Sequence, residues 1–382
     1  MPRLWCSIKF GPDLRDSDRK LMRMSLSRSG CLPLSLEFEK ILNTPRNKSA
    51  NLTQFAKLIL PHSSRLEAFS LPAQIIGQFS PAEHSFDLLK KIEFFEHNRT
   101  PLNAYSSPNN FASAPQLCCV RFEGIFAPSL VKLPWLQLTE CEVTGSSFYE
   151  ILRFLARTIN IDQASLRVKP DGGVHSFPPN IIRLPHLRSL HLATTEHQAP
   201  HTILDALILP ELNSLSIRVS LPAPEQLCSL LMQSSCSLRR LVLSCWGTAT
   251  KALIWCLESV PLLAELELGG LVFNSSDKEC ECLNQLQRTS GNAKRHCLVP
   301  RLEVLTLRFA ISLFTRPDFT DMIESPGWNV GDASKDDVGV RLHVVRLTVY
   351  GTPDGIPTLS RLRRMQNEGL DITISYHQNS SL

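Results

Sequence analysis

Leu187-x-x-Leu190-x-Leu192, Leu212-x-x-Leu215-x-Ile217, Leu238-x-x-Leu241-x-Leu243 and Leu263-x-x-Leu266-x-Leu268 are four copies of one phrase, starting 25, 26 and 25 residues apart. Three of them share a lead-in: Leu184-Pro185, Leu209-Pro210 and Val260-Pro261. Within each phrase a period of two sends the second and third apolar residues to one side and the residues between them to the other, the pattern of a half-buried strand. A strand that returns at a nearly fixed interval marks a solenoid, whose units bury their apolar faces only against their neighbours.

Upstream, the phrase continues as Leu66-x-x-Phe69-x-Leu71, Leu89-x-x-Ile92-x-Phe94, Leu117-x-x-Val120-x-Phe122 and Leu138-x-x-Cys141-x-Val143, with a weak copy at Gln163-x-x-Leu166-x-Val168. Downstream, Leu302-x-x-Leu305-x-Leu307 starts 39 residues after Leu263, and Val344-x-x-Leu347-x-Val349 another 42 on. Gly369 to Ile374 reads as a closing strand. Apolar residues three and four apart predict helices over Ser147 to Thr158, Ala223 to Ser234, Thr248 to Val260 and Thr358 to Glu368, the last bounded by Pro357 and Gly369. The expected fold is α/β: a solenoid of about eleven strand-led repeats. Because helices are wider than strands, its parallel sheet should curve, with the strands on the concave face and helices or irregular segments on the convex one. Residues 1–62 are expected to form an irregular N-terminal cap, with a strand-like piece at Leu32 to Glu39 and a helix-compatible piece around Leu52 to Leu60. Residues 63–382 are expected to form the solenoid, with insertions near 269–301 and 308–343.

Composition removes several function classes. A net charge of +4, with basic residues dispersed through the chain, is far from the one-signed footprint of a nucleic-acid binder. The 12 cysteines among 382 residues lie well below the roughly 8–10% of small disulfide scaffolds. Cys119, Cys141, Cys245 and Cys256 sit inside strand or helix patterns, as buried thiols do. The N-terminal residues lack the apolar core of a signal peptide, and no uncharged apolar run approaches membrane-spanning length. The expectation is a soluble, cytoplasmic or nuclear protein, in which the sequons at Asn47, Asn51, Asn98, Asn274 and Asn379 are chance matches.

Chemistry-bearing clusters are few. His186, His191, His197 and His201, with Glu196 among them, form the densest histidine group, but a metal site requires ligands converging at about 2 Å, and a solvated loop is the expected reading. Cys280-Glu281-Cys282 with His296-Cys297 offers four ligand types, yet the chain contains no Cys-x-x-Cys pair. The neighbours Cys118 and Cys119 straddle a strand, which predicts one thiol in the core and one on the surface. The nucleophile elbow, the phosphate loop, the dinucleotide fingerprint and the His-Glu-x-x-His motif are all missing. No enzymatic activity, cofactor or metal is expected.

The informative residues lie two and four positions after each phrase begins, on the outward side of the strands. Their charges change sign in blocks: acidic over 123–142, basic over 167–240, acidic at 265–267 and basic over 308–346. Such a ladder selects a protein with complementary blocks, because charge patterning fixes register and penalises wrong partners; a nucleic acid would favour one sign throughout. The candidate partner-binding residues are Arg121, Glu140, Glu142, Arg167, His191, Arg218, Arg240, Glu265, Glu267, Arg308 and Arg346. A protein partner is expected on this face, with no nucleic acid and no membrane. The alternative is an ordinary solvated sheet face.

The phrases resemble leucine-rich repeats of the shorter, cysteine-containing or irregular kind seen in F-box proteins, over roughly residues 66–374. Pro2-Arg3-Leu4-Trp5-Cys6-Ser7, Ser29-Gly30-Cys31-Leu32-Pro33-Leu34-Ser35-Leu36 and Leu60-Pro61-His62-Ser63-Ser64-Arg65-Leu66 resemble stretches that follow the F-box in the expanded F-box families of mushroom-forming fungi. This resemblance implies the substrate-binding repeat region of an F-box-type ubiquitin-ligase subunit. In that family Pro-Arg-Leu-Trp stands just after the F-box, whereas here it occupies residues 2–5. No adaptor-binding residue therefore carries over, and binding to a cullin-ligase adaptor is expected only with an upstream F-box. Two other classes stay open: an F-box-less interaction scaffold or decoy, and a hydrolase or metal-dependent enzyme with its site in the insertions.

Overall fold

The computed structural model describes residues 2–10, 16–38, 49–73, 76, 85–95, 111–124, 131–169, 181–194, 203–219, 224–244, 250–271, 299–310, 317–324, 342–350 and 358–377. The chain divides into two compact units, Met1–Leu187 and Arg188–Leu382.

In the first unit seven strands pair in chain order, each parallel to the last: β1 (Ser7–Phe10), β2 (Leu34–Phe38), β3 (Leu66–Pro72), β4 (Lys91–Phe95), β5 (Cys119–Glu123), β6 (Glu140–Ser146) and β7 (Gln163–Val168). A two-residue strand, β8 (Ile182–Arg183), follows. Helices α1 (Asp16–Arg28), α2 (Ser49–Ile59) and α3 (Phe148–Leu155) lie between strands. Register places the last two apolar residues of each phrase side by side: Phe69 beside Ile92, Ile92 beside Val120 and Val120 beside Cys141. The sixth phrase position is mostly aromatic here. Phe10, Phe38 and Phe55 of α2 pack with ring centroids 4.6 to 5.4 Å apart, Phe94 stacks on Phe122 at 5.3 Å, and Phe154 of α3 meets Phe122 edge-on at 5.8 Å. Such pairs add about 0.5–1.5 kcal/mol each beyond the area they bury. Ser147 caps α3, its hydroxyl accepting from the Glu150 N–H.

In the second unit β9 (Ser189–Thr194), β11 (Ser214–Val219), β12 (Arg240–Ser244), β13 (Glu265–Leu271), β14 (Val304–Ala310), β15 (Val344–Tyr350) and β16 (Asp371–His377) form a parallel run in that order, with the short β10 (Leu207–Ile208) before β11. Between strands lie α4 (Pro224–Ser234), α5 (Thr250–Glu258), α6 (Pro317–Glu324) and α7 (Thr358–Asn367). Leucine and isoleucine hold the core positions: Leu190, Leu215, Leu241, Leu266 and Leu305 are in register and each at most 1% exposed. Burying one such side chain contributes about 1.5–3 kcal/mol.

Backbone joins the repeats independently of side chains. The carbonyl of Arg188 accepts from both Asn213 and Ser214 N–H, that of Asn213 from Arg239 and Arg240, that of Arg239 from Ala264 and Glu265, and that of Ala264 from Glu303 and Val304, at 2.8 to 3.0 Å. The first unit repeats this step from Lys90 to Cys118 and Cys119, and from Cys118 to Thr139 and Glu140.

Within residues 1–62, β1 and β2 belong to the sheet, and Ile8, Phe10, Leu36 and Phe38 fill its core. Two of the repeat frames need correction. The copy on β7 begins at Ile161, not Gln163: Cys141 pairs with Ala164 and Val143 with Leu166, and Ile161 is fully buried. Likewise the copy at Val344 begins at Leu342, since Leu305 pairs with Val345 and Leu307 with Leu347. Both frames are late by two residues, and a shift of two leaves every side chain on its own face, whereas a shift of one would not. The span 308–343 holds the end of β14 and all of α6, so regular structure occupies part of the expected insertion. The other expected insertion, apart from its ends, lies outside the described residues.

Candidate functional site

The outward strand positions are where the sequence places a binding face. In the second unit this alternation holds on β9, β11, β13, β14 and β15, with residues two and four after each phrase start half-buried or exposed and the core positions buried. It fails in three places. Val242 is 5% exposed, and in the first unit Ser70 of β3, at 4%, and Glu93 and Phe95 of β4, at 8% and 3%, are buried. Phe95 has turned inward enough to meet the Phe38 ring at 6.3 Å. The open face of the first unit is therefore carried by β1 and β2, where Lys9 meets Glu37 at 2.8 Å, and by β5, β6 and β7.

The charged ladder is largely paired with itself. Arg121 Nε meets Glu142 at 3.0 Å across an in-register pair of β5 and β6. Arg240 meets Glu265 at 3.3 Å across β12 and β13, again in register. Arg308 bonds Glu267 at 2.7 Å on a diagonal. Gly269 is the register partner of Arg308, and a Cβ there would meet the Ser244 hydroxyl at a tight 3.3 Å and Arg308 Cδ at an ordinary 3.7 Å. Glu267 is the most enclosed of these carboxylates, with a side chain 16% exposed. His191 Nδ1 lies 2.8 Å from the Ser216 hydroxyl, its register partner. Seven of the eleven candidates are thus held by the neighbouring strand.

The remaining four differ. The side chains of Glu140, Arg167, Arg218 and Arg346 are exposed and make no ion pair among the described residues. Arg167 and Glu140 belong to the first unit and Arg218 and Arg346 to the second. A long, solvated arginine on a rigid strand offers a planar fork to an incoming carboxylate. A paired one must first release its partner.

The thiols are placed by packing. Cys141 is buried, and burial drives its pKa upward. Cys119 is half-buried, and burial followed by the nearby Glu140 charge pushes its pKa up to about 11. Cys118 is half-buried as well, because Leu117 takes the core position beside it; the expected split into one core and one surface thiol is not found. Cys256 of α5 is buried with its sulfur 2.9 Å from that of Cys228 on α4. Burial and this partner both raise the Cys256 pKa. Cys245 lies outside the described residues.

The histidine cluster does not assemble among the described residues. His186 is exposed on the turn before β9, His191 is engaged with Ser216, and His197, His201 and Glu196 lie outside the described residues, as do Cys280, Cys282, His296 and Cys297. No group of three metal-ligating side chains converges among the described residues. No helix among them is long and apolar enough to cross a membrane. The paired residues were legible in principle: Arg121 and Glu142, like Arg240 and Glu265, are opposite charges at the same phrase position in successive copies.

No protein-family model matches the chain, and no curated protein matches it. Among solved structures it is similar to the TLR13 chain of a TLR13–ssRNA13 complex, with 12% identity, a TM-score of 0.35, and coverage of 91% of this chain and 49% of that one. The chain spans about half the length of that neighbour, and a likeness of this size carries no argument about ancestry or ligand. What identifies the architecture is the register itself: leucine-led phrases stacked in parallel, one per repeat, make this a fold of the leucine-rich-repeat type.

Proposed function

We propose that this chain is a protein-recognition scaffold that grips its partner through the outward face of its strands. The observation that carries the reading is the set of exposed arginines, Arg167, Arg218 and Arg346, each the one charged residue of its strand. Strands fix their backbones, so the ordering cost of binding falls on the side chains alone. The partner that fits is a protein surface bearing carboxylates. The paired residues Arg121, Glu142, Arg240, Glu265, Glu267 and Arg308 shape the face, and His191 sits among them.

The finer reading is that the partner is a substrate and the chain the substrate-binding region of an F-box-type ubiquitin-ligase subunit, working in the cytoplasm or nucleus. Support comes from the resemblance of residues 2–7, 29–36 and 60–66 to post-F-box stretches. Adaptor binding then belongs to a segment other than this chain.

Proximity labelling with the full chain identifies the captured proteins, and the test is a charge reversal. Arg167→Glu, Arg218→Glu and Arg346→Glu together are expected to abolish capture while the circular-dichroism spectrum stays unchanged. Capture that survives the triple reversal removes this face from consideration. Co-purification of cullin machinery separates the ligase reading from that of an independent scaffold.

A further inference from the structure

Among the described residues, the last strand of the second unit presents an unpaired sheet edge together with exposed core-side residues. Strand β16 pairs with β15 and, among the described residues, with no other strand. Ile372 is buried, but Ile374 is only half-buried and Tyr376 is 38% exposed. Together with Leu359 and Leu362 of α7 these residues line an open groove of about 360 Å³. In the first unit the terminal strand differs, since Ile8 and Phe10 of β1 are 5% and 1% exposed.

The backbone of β16 states which residues face the open edge. Backbone groups of successive strand residues point alternately to the two sides. The Asp371 N–H donates to the His343 carbonyl on the β15 side, so Ile372, Ile374 and Tyr376 present theirs to the edge. The contact recorded there is a long one, Gln366 Nε2 to the Ile372 carbonyl at 3.4 Å. A strand placed against this edge must satisfy those three residues.

The sequence of β16, Asp371-Ile372-Thr373-Ile374-Ser375-Tyr376-His377, is complementary to itself when reversed. With two antiparallel copies related by a two-fold axis at Ile374, Asp371 of one copy faces His377 of the other, Thr373 faces Ser375, Ile372 faces Tyr376, and Ile374 faces itself. The three edge-facing residues then fall in the hydrogen-bonded pairs, and Thr373 and Ser375 in the closer non-hydrogen-bonded pairs. Acid meets base at both ends, hydroxyl meets hydroxyl, and the apolar residues meet over the two grooves. Moving the axis by one residue shortens the overlap and separates Asp371 from His377. This pairing also removes the exposed edge, which isolated sheets otherwise protect with charges, proline or a covering segment.

We propose that the chain forms a two-fold symmetric dimer through antiparallel pairing of its β16 strands, each copy covering the other's terminal groove. Interfaces of this isologous kind repeat every contact twice, so a single substitution acts at two places.

The test is the mass of the full chain in solution as a function of concentration, by sedimentation equilibrium. The wild-type chain is expected to be a reversible dimer. Asp371→Arg removes the carboxylate that faces His377 at both ends of the pairing and is expected to weaken the dimer roughly tenfold or more, and Asp371→Arg with His377→Glu, which sets an acid against the new base, is expected to restore it. Independently, oxidation of a Thr373→Cys, Ser375→Cys double variant should trap a covalent dimer through a 373–375 crosslink identified by mass spectrometry, because non-hydrogen-bonded pairs bring Cα atoms to about 4.5 Å. A wild-type chain that stays monomeric to about 100 µM, far above the micromolar range of a weak specific association, overturns the proposal and leaves the edge to a strand from another protein. A dimer that is indifferent to Asp371→Arg and yields no 373–375 crosslink overturns it equally.

Discussion

Gly145 sits at the irregularity between β6 and β7, where register shifts between Thr144 and Ser146. Its φ is +87°, and a Cβ at this position would lie 2.7 Å from the Gly124 carbonyl oxygen and 3.0 Å from its carbonyl carbon. Gly124, itself at φ +106°, donates its N–H to the Thr144 carbonyl at 2.8 Å, so the two glycines are locked back to back. Gly145→Ala therefore carries two costs. A side chain at positive φ costs about 1–2 kcal/mol, and forcing backbone apart in a packed region costs about 1–3 kcal/mol more, giving roughly 2–5 kcal/mol. Gly30→Ala isolates the first cost, because Gly30 lies in the same unit at φ +61° with no atom within 4 Å of a Cβ. Both variants are compared with the parent chain in urea unfolding, monitored by circular dichroism. The reasoning requires Gly145→Ala to lower the midpoint clearly more than Gly30→Ala. Equal midpoints would show that Gly124 yields freely and that the close approach stores nothing.

A double-mutant cycle on Arg308 and Glu267 is expected to give a coupling near 1 kcal/mol, against about 0.2–0.5 kcal/mol for the more exposed Arg121 and Glu142, since solvent screening is weaker around Glu267; urea titrations of the single and double alanine variants measure both. Ser147→Ala removes the cap of α3 and should destabilise the first unit by about 1 kcal/mol in the same assay. Cys119, with its pKa raised to about 11 from the usual 9.0, should be alkylated at pH 8.5 about a hundredfold more slowly than an unperturbed thiol, by mass-spectrometric time course. Because the folded pKa is the higher one, the stability this thiol contributes is present in full below pH 9 and is lost as pH rises towards 11, when the unfolded chain releases its proton first.

The phrase itself carried most of the architecture, since Leu190, Leu215, Leu241 and Leu266, each the middle leucine of its phrase, had to share a face once the phrases recurred 25 or 26 residues apart. What escaped was whatever a leucine does not mark. Ala164 is too small to signal the core position it fills, so the neighbouring Leu166 was read as the middle of the phrase. Strand β1 is four residues long, and α1 buries Met22 and Leu26 among many charged neighbours, leaving no apolar periodicity to read. At the candidate site, sidedness was legible and pairing was not. The Arg240–Glu265 pair follows from one period of spacing, but Arg308 and Glu267 stand at different phrase positions and meet on a diagonal, a matter of packing in three dimensions. The burial of Glu93 and Phe95 likewise has no local cue, since both stand in outward register.

The hand-off of one carbonyl to two amides has a consequence for how such a chain can change. The residues that make it include an arginine, an asparagine, an alanine and a glutamate, at Arg188, Asn213, Ala264 and Glu303, so attachment of one repeat to the next asks nothing of their side chains. Substitutions that redraw the exposed surface therefore leave the joints alone, with proline the exception wherever an amide must be given. New specificities can accumulate on one side of this molecule while its scaffold is inherited intact.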